Sequence, residues 1–81
     1  MLYTNETCIF RSRLTVVDLN EPIFTVRDTA GNIAVTNGNH RAYKALQKGV
    51  VPPMRQIGTI GFDVSQSENF RPVSELVVID K

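Results

Sequence analysis

Eighty-one residues, nine Lys and Arg against eight Asp and Glu, and a net charge of +1 bound one domain with a thin core. A hydrophobic content of 42% excludes a disordered chain, and the single cysteine, Cys8, excludes an intramolecular disulfide and any cysteine-built metal site within one chain. No basic-then-apolar leader opens the sequence and no apolar run approaches the ~18 residues of a membrane span, so a soluble, cytoplasmic protein without a membrane partner is expected.

In chain order, Cys8 to Asp18 reads as a long first strand. Cys8, Phe10, Leu14 and Val16 fall on one face, Arg11, Arg13 and Thr15 on the other, and Ser12 marks a bend or bulge. Asn20-Glu21-Pro22 is a turn. Pro22 to Asp28 is a second strand with Phe24 and Val26 inward and Ile23, Thr25 and Arg27 outward. Thr29-Ala30-Gly31-Asn32 suits a hairpin connection, since Gly31 and Asn32 both tolerate positive φ. Ile33 to Thr36 returns as a third strand, Ile33 and Val35 inward.

The period then changes to that of a helix over His40 to Lys48. Ala42, Ala45 and Leu46 lie at i, i+3 and i+4, with a cap expected between Asn37 and Asn39 and a left-handed stop at Gly49. Val50-Val51-Pro52-Pro53 is extended, because prolines end helices and cannot donate to a ladder. Arg55 to Val64 is a fourth strand containing Gly58 and Gly61, Ser65 to Pro72 is a polar loop, and Val73 to Asp80 is a fifth strand.

Charge is segregated along this order. Positions 29 to 62 contain no acid and carry Arg41, Lys44, Lys48 and Arg55, while the flanking segments are slightly acidic. One electropositive patch on a nearly neutral molecule follows.

The succession strand, strand, strand, short helix, strand, strand resembles the OB-fold, a five-stranded barrel with a helix between its third and fourth strands. The likeness is one of topology and spans nearly the whole chain; an SH3-like small barrel is the structural alternative. It implies non-catalytic binding of single-stranded DNA or RNA on the outer face of the barrel. The residues it singles out are Arg11, Arg13, Thr25 and Arg27 on the first two strands and Phe70 and Arg71 in the loop between the last two, with Lys44 or Arg55 extending the track. A small accessory protein of a phage or plasmid would suit that role.

The alternative function is a protein-interaction or assembly module, acting as a homodimer or adaptor, which the near-neutral charge and a free β edge favour. Catalysis has little to build on. The one histidine, His40, and Cys8 are more than thirty positions apart, and Cys8 reads as a small apolar strand residue. No phosphate-cradling glycine loop appears, and Gly58-Thr59-Ile60-Gly61 lies in a strand pattern rather than between helices. No metal, no cofactor and no enzymatic activity are expected.

Overall fold

A computed structural model describes residues 2–81. Its centre is the hairpin formed by β3 (Ile23–Arg27) and β4 (Ile33–Asn37), joined by a turn in which Gly31 takes φ 84°. β1 (Leu2–Thr4) lies parallel to β4, β5 (Met54–Thr59) lies parallel to β3, and the two-residue β6 (Arg71–Pro72) pairs antiparallel with β1. The sheet order is β5-β3-β4-β1-β6. A second sheet consists of β2 (Cys8–Phe10) and β7 (Val77–Ile79), paired in parallel.

This arrangement corrects the OB-like barrel and its SH3-like alternative. A barrel closes by pairing its first and last edges, whereas here β5 and β6 lie at opposite ends of an open sheet with three strands between them. The fold is mixed α/β, and its parallel pairs require crossovers rather than hairpins.

One face of the sheet is covered by α2 (Asn39–Lys48). Ile23 and Val35 from the sheet pack with Ala42 of the helix, Ile9 of β2, Leu14, Val73 and Leu76. Full burial of each large aliphatic in such a cluster stabilises by about 1.5–3 kcal/mol. Small residues at Ala42 and Ala45 let the helix sit close to the strands, and both are fully enclosed. The helix starts at Gly38, whose φ is 98°, and ends at Gly49 in the expected left-handed conformation, its N–H reaching the Ala45 and Leu46 carbonyls. Gly38 rather than an Asn side chain forms the N-terminal cap.

The strand phase differs from the alternation read in the sequence. Ile23 and Thr25 point into the core, while Phe24 and Val26 are half-buried on the reverse face. In β2 it is Ile9, not Cys8 or Phe10, that is enclosed. The long first strand is also shorter than expected. After three residues the chain turns into α1 (Arg11–Leu14), which drops Leu14 into the core and is held by the Ser12 N–H on the Lys81 carbonyl. Ser12, where the apolar face is interrupted, lies inside that helical turn, and the strand has already ended at Phe10. Val73–Glu75, expected as strand, is a single 3-10 turn that buries Val73 before β7 begins.

A buried carboxylate anchors the chain that leaves β5. Asp28 accepts from the N–H groups of Ala30, Asn32 and Val64 and from the Asn32 amide, at 2.7–3.0 Å. The Asn32 amide also reaches Asp63 at 3.0 Å. This knot fixes the 3-10 turn Val64–Gln66 across the end of the β3–β4 hairpin.

Candidate interaction surface

The segment that follows α2 is where the molecule leaves apolar surface uncovered. Val50 donates its N–H to the Ala45 carbonyl at 3.0 Å, turning the chain out of the helix. Pro52 is buried and pins the connection, and the Pro53 carbonyl accepts the Ile23 N–H at 2.9 Å, which delivers β5 to the side of β3. The register then slips: Thr25 faces Gln56 but Val26 faces Gly58, so Ile57 is an extra residue in the edge strand. Such a bulge leaves its residue unpaired.

The consequence is a concentrated apolar surface. Of the eight large hydrophobic residues exposed among the described residues, Leu46, Val50, Val51, Met54 and Ile57 lie within residues 46–57, with Val51 83% and Ile57 59% accessible. Leu46 also lines a mainly apolar hollow of about 290 Å³ with Leu2, Pro72, Val73 and Ser74. That hollow lies at the β1–β6 end of the sheet, whereas Val50, Val51, Met54 and Ile57 fall in the edge strand β5 or in the connection that delivers it. Single exposed aliphatics are ordinary, but four on one edge suit a contact site. The charged residues in the same stretch, Lys48 and Arg55, are both exposed and both basic.

A second concave region, of about 390 Å³, lies between α1 and the start of α2. Cys8, Arg13, His40 and Arg41 all border it, so residues distant in sequence do meet here. The chemistry is nevertheless tied up. His40 Nε2 accepts the Phe10 N–H at 3.0 Å, which leaves the neutral ring with its proton on Nδ1 and no free lone pair to act as a base. Burial, followed by the charge of Arg13, holds the imidazole below its ordinary pKa of 6.5, against a smaller opposing pull from Glu6. Arg41 donates to the Pro22 carbonyl. Asn39, at the same helix start, accepts from the buried Thr4 hydroxyl at 2.7 Å, tying β1 to α2. Among the described residues no group of three His, Cys, Asp or Glu is placed to hold a metal ion.

The eight residues expected to track nucleic acid do not share a face. Arg11 sits in α1 in an ion pair with Asp80, whose hydrogen bond and charge raise the guanidinium's pKa. Arg13 follows it in α1 rather than on a strand. Thr25 is only 3% exposed, facing the core. Arg27, at the end of β3, donates to Gln56 and to the Gly31 carbonyl, both at 3.4 Å. Arg55 lies opposite Phe24 in the neighbouring strand, and so on the other face of the sheet from Arg27. Lys44 is half-buried on α2. Phe70 packs edge-on against Phe62 at 5.8 Å between ring centres, and Arg71 donates to the Glu6 carbonyl.

Sequence reasoning found the acid-free interval but missed the apolar cluster inside it. Val50, Val51, Met54 and Ile57 look like core residues in a sequence, and only the edge position of β5 leaves them uncovered. The doubled proline was the available signal, since it forbids a covering helix there. No helix among the described residues is long and apolar enough to cross a membrane. No family model, curated protein or solved structure was found to match the chain.

Proposed function

We propose that this protein is a non-catalytic binding module that docks another protein on the exposed edge of the sheet formed by residues 50–57. The observation that carries the reading is the clustering of exposed aliphatic side chains in that one segment, beside an unpaired strand edge. Aliphatic anchors suit protein contacts, whereas single-stranded nucleic acid is gripped by aromatic platforms set in a basic groove. The exposed anchors between residues 46 and 57 include no aromatic ring, and Arg11, Arg27, Arg41 and Arg71 each hold a partner within the chain.

The test compares the protein with an Ile57→Asp variant as bait in extract from the cells that make it. A partner retained by the parent, lost by the variant and rebuilt from purified components supports docking on this surface. Equal recovery by both baits refutes it. Labelled single-stranded oligonucleotides provide the competing arm: salt-sensitive binding that survives Ile57→Asp but is lost in Arg27→Glu would replace this reading with nucleic-acid binding.

A further inference from the structure

Six asparagines occur in the chain, and one of them, Asn37, is followed by a glycine. The main-chain nitrogen of the next residue can attack an asparagine amide carbon, and a side chain on that residue obstructs the approach. Gly38 removes the obstruction. No larger residue replaces it without strain, because its φ is 98° and an added Cβ would lie 2.9 Å from Ile23 Cγ2. The fold therefore retains the Asn37-Gly38 pair at the junction of β4 and α2. Asn37 is exposed there, whereas the Asn32 amide is bound to Asp28 and Asp63 and the Asn39 amide accepts from Thr4. The Gly38 N–H has no backbone acceptor among the described residues. Both residues border the cavity that Arg13 and Arg41 share, where Glu6 is the one acid among the described lining residues. Negative charge developing on the Gly38 nitrogen is favoured by those guanidinium groups and by the first turn of α2, which holds no acid.

We infer that Asn37 is a site of spontaneous deamidation, which places a carboxylate at the junction of β4 and α2. The Gly38 nitrogen bonds to the Asn37 Cγ, and the proton it gives up leaves with the side-chain nitrogen as ammonia. One water molecule then opens the cyclic imide. Opening at Cγ leaves an ordinary aspartate and an unchanged main chain. Opening at the main-chain carbonyl leaves an isoaspartyl link, which routes the chain through Cβ and lengthens it by one methylene group. The two products have different consequences. The aspartate takes the net charge from +1 to zero and sets an acid just ahead of a helix whose first turn has none. The isoaspartyl link shifts Gly38 from its close fit against Ile23 and disturbs the Phe24–Asn37 pair that ends the hairpin ladder. The charge of the cavity thus depends on the age of the molecule. Neither step involves β5, so this inference stands apart from the docking surface.

The experiment ages the full chain in neutral buffer at physiological temperature, both folded and in urea, and follows every asparagine by peptide mapping. In the folded protein Asn37 should lose its amide before the others, with release of ammonia and a mixture of aspartyl and isoaspartyl peptides. Asn37→Gln, whose attack needs a larger ring, should abolish that release over the same period. The aged protein should separate into two new species. One should melt with the directly made Asn37→Asp variant, and the isoaspartyl one should melt about 4–8 °C below the parent. Loss at Asn39 or Asn69 as fast as at Asn37 overturns the inference. So does an intact Asn37 in the folded protein while the chain in urea converts. A product containing aspartate alone also overturns it, since direct hydrolysis of the amide passes through no imide.

Discussion

His40 cannot take up a proton on Nε2 without losing the Phe10 N–H that this nitrogen accepts. Its folded pKa is depressed, by burial first and by Arg13 second, so the unfolded chain protonates before the folded one. The stability contributed by the neutral ring is complete above its ordinary value of 6.5 and is lost as pH falls from there through the lower folded value. Urea midpoints measured from neutral to mildly acid pH should fall over that window for the parent protein. The same curve for His40→Gln should lack that component, and parallel curves would remove His40 from the acid response.

Gly38 is constrained twice over. Its φ of 98° is costly for any side chain, and an added Cβ would lie 2.9 Å from Ile23 Cγ2 and 3.3 Å from the Ile23 Cα. Gly38→Ala should therefore destabilise by about 2–4 kcal/mol, combining left-handed strain with overpacking against backbone. Gly31, at φ 84° with open space around its missing Cβ, supplies the control. Gly31→Ala should cost only the strain, roughly 1–2 kcal/mol in the same denaturant titration.

The Asp28 knot makes two separate stretches of chain behave as one element. Burial pushes this carboxyl up, but the N–H of Val64, the Asn32 amide, and the N–H groups of Asn32 and Ala30 together outweigh it and leave the pKa below the ordinary 3.8. The folded state thus holds the charge longer than the unfolded chain does. Its contribution to stability is full above the ordinary value and disappears as pH drops below it. Asp28→Asn puts an amide donor among four donors, and thermal unfolding at neutral pH should move down by far more than for the exposed Asp18→Asn. If the two variants melt alike, the knot is not holding the 63–66 turn.

Local signals account for what could be read without coordinates. The hairpin strands, the helix and its stop at Gly49 follow from periodicity and from a glycine at a left-handed position, both encoded within a few residues. Parallel partners are not encoded that way. Nothing in Leu2–Thr4 announces β4 as its neighbour, and nothing in Met54–Thr59 announces β3. The face of β3 runs against apolar size, because Phe24 and Val26 lie half-buried on the reverse side while the small Thr25 fits beneath α2. The placement of Thr25 has that same origin, whereas Arg11 and Arg13 leave the expected face because the first strand gives way to α1. A one-residue change of phase moves every side chain of a strand to the opposite face.

For the molecule as a whole, the first strand matters out of proportion to its three residues. Among the described residues β1 is the only bridge between β4 and β6, Thr4 is fully enclosed, and its hydroxyl joins the Asn39 side chain to the Glu6 N–H. Deleting residues 1–4 should abolish the cooperative thermal transition and collapse the dispersed amide spectrum, where trimming an exposed tail would leave both unchanged. A truncated chain that still melts sharply would mean that β4 and the last strands are held by something other than β1.

The parallel partnership of β2 with β7 also sets an order of events. Residues 8–10 leave the ribosome early yet have no strand to pair with until residues 77–79 follow, and Val73 and Leu76, which complete the core, emerge only just before them. During synthesis the chain must therefore wait, with Ile9 and Ile23 still wet, until residues 73–79 are free. Closure by such distant pairings is slow for a chain of this size, on the millisecond-to-second scale, and that interval is when a chaperone has its opportunity to engage the nascent protein.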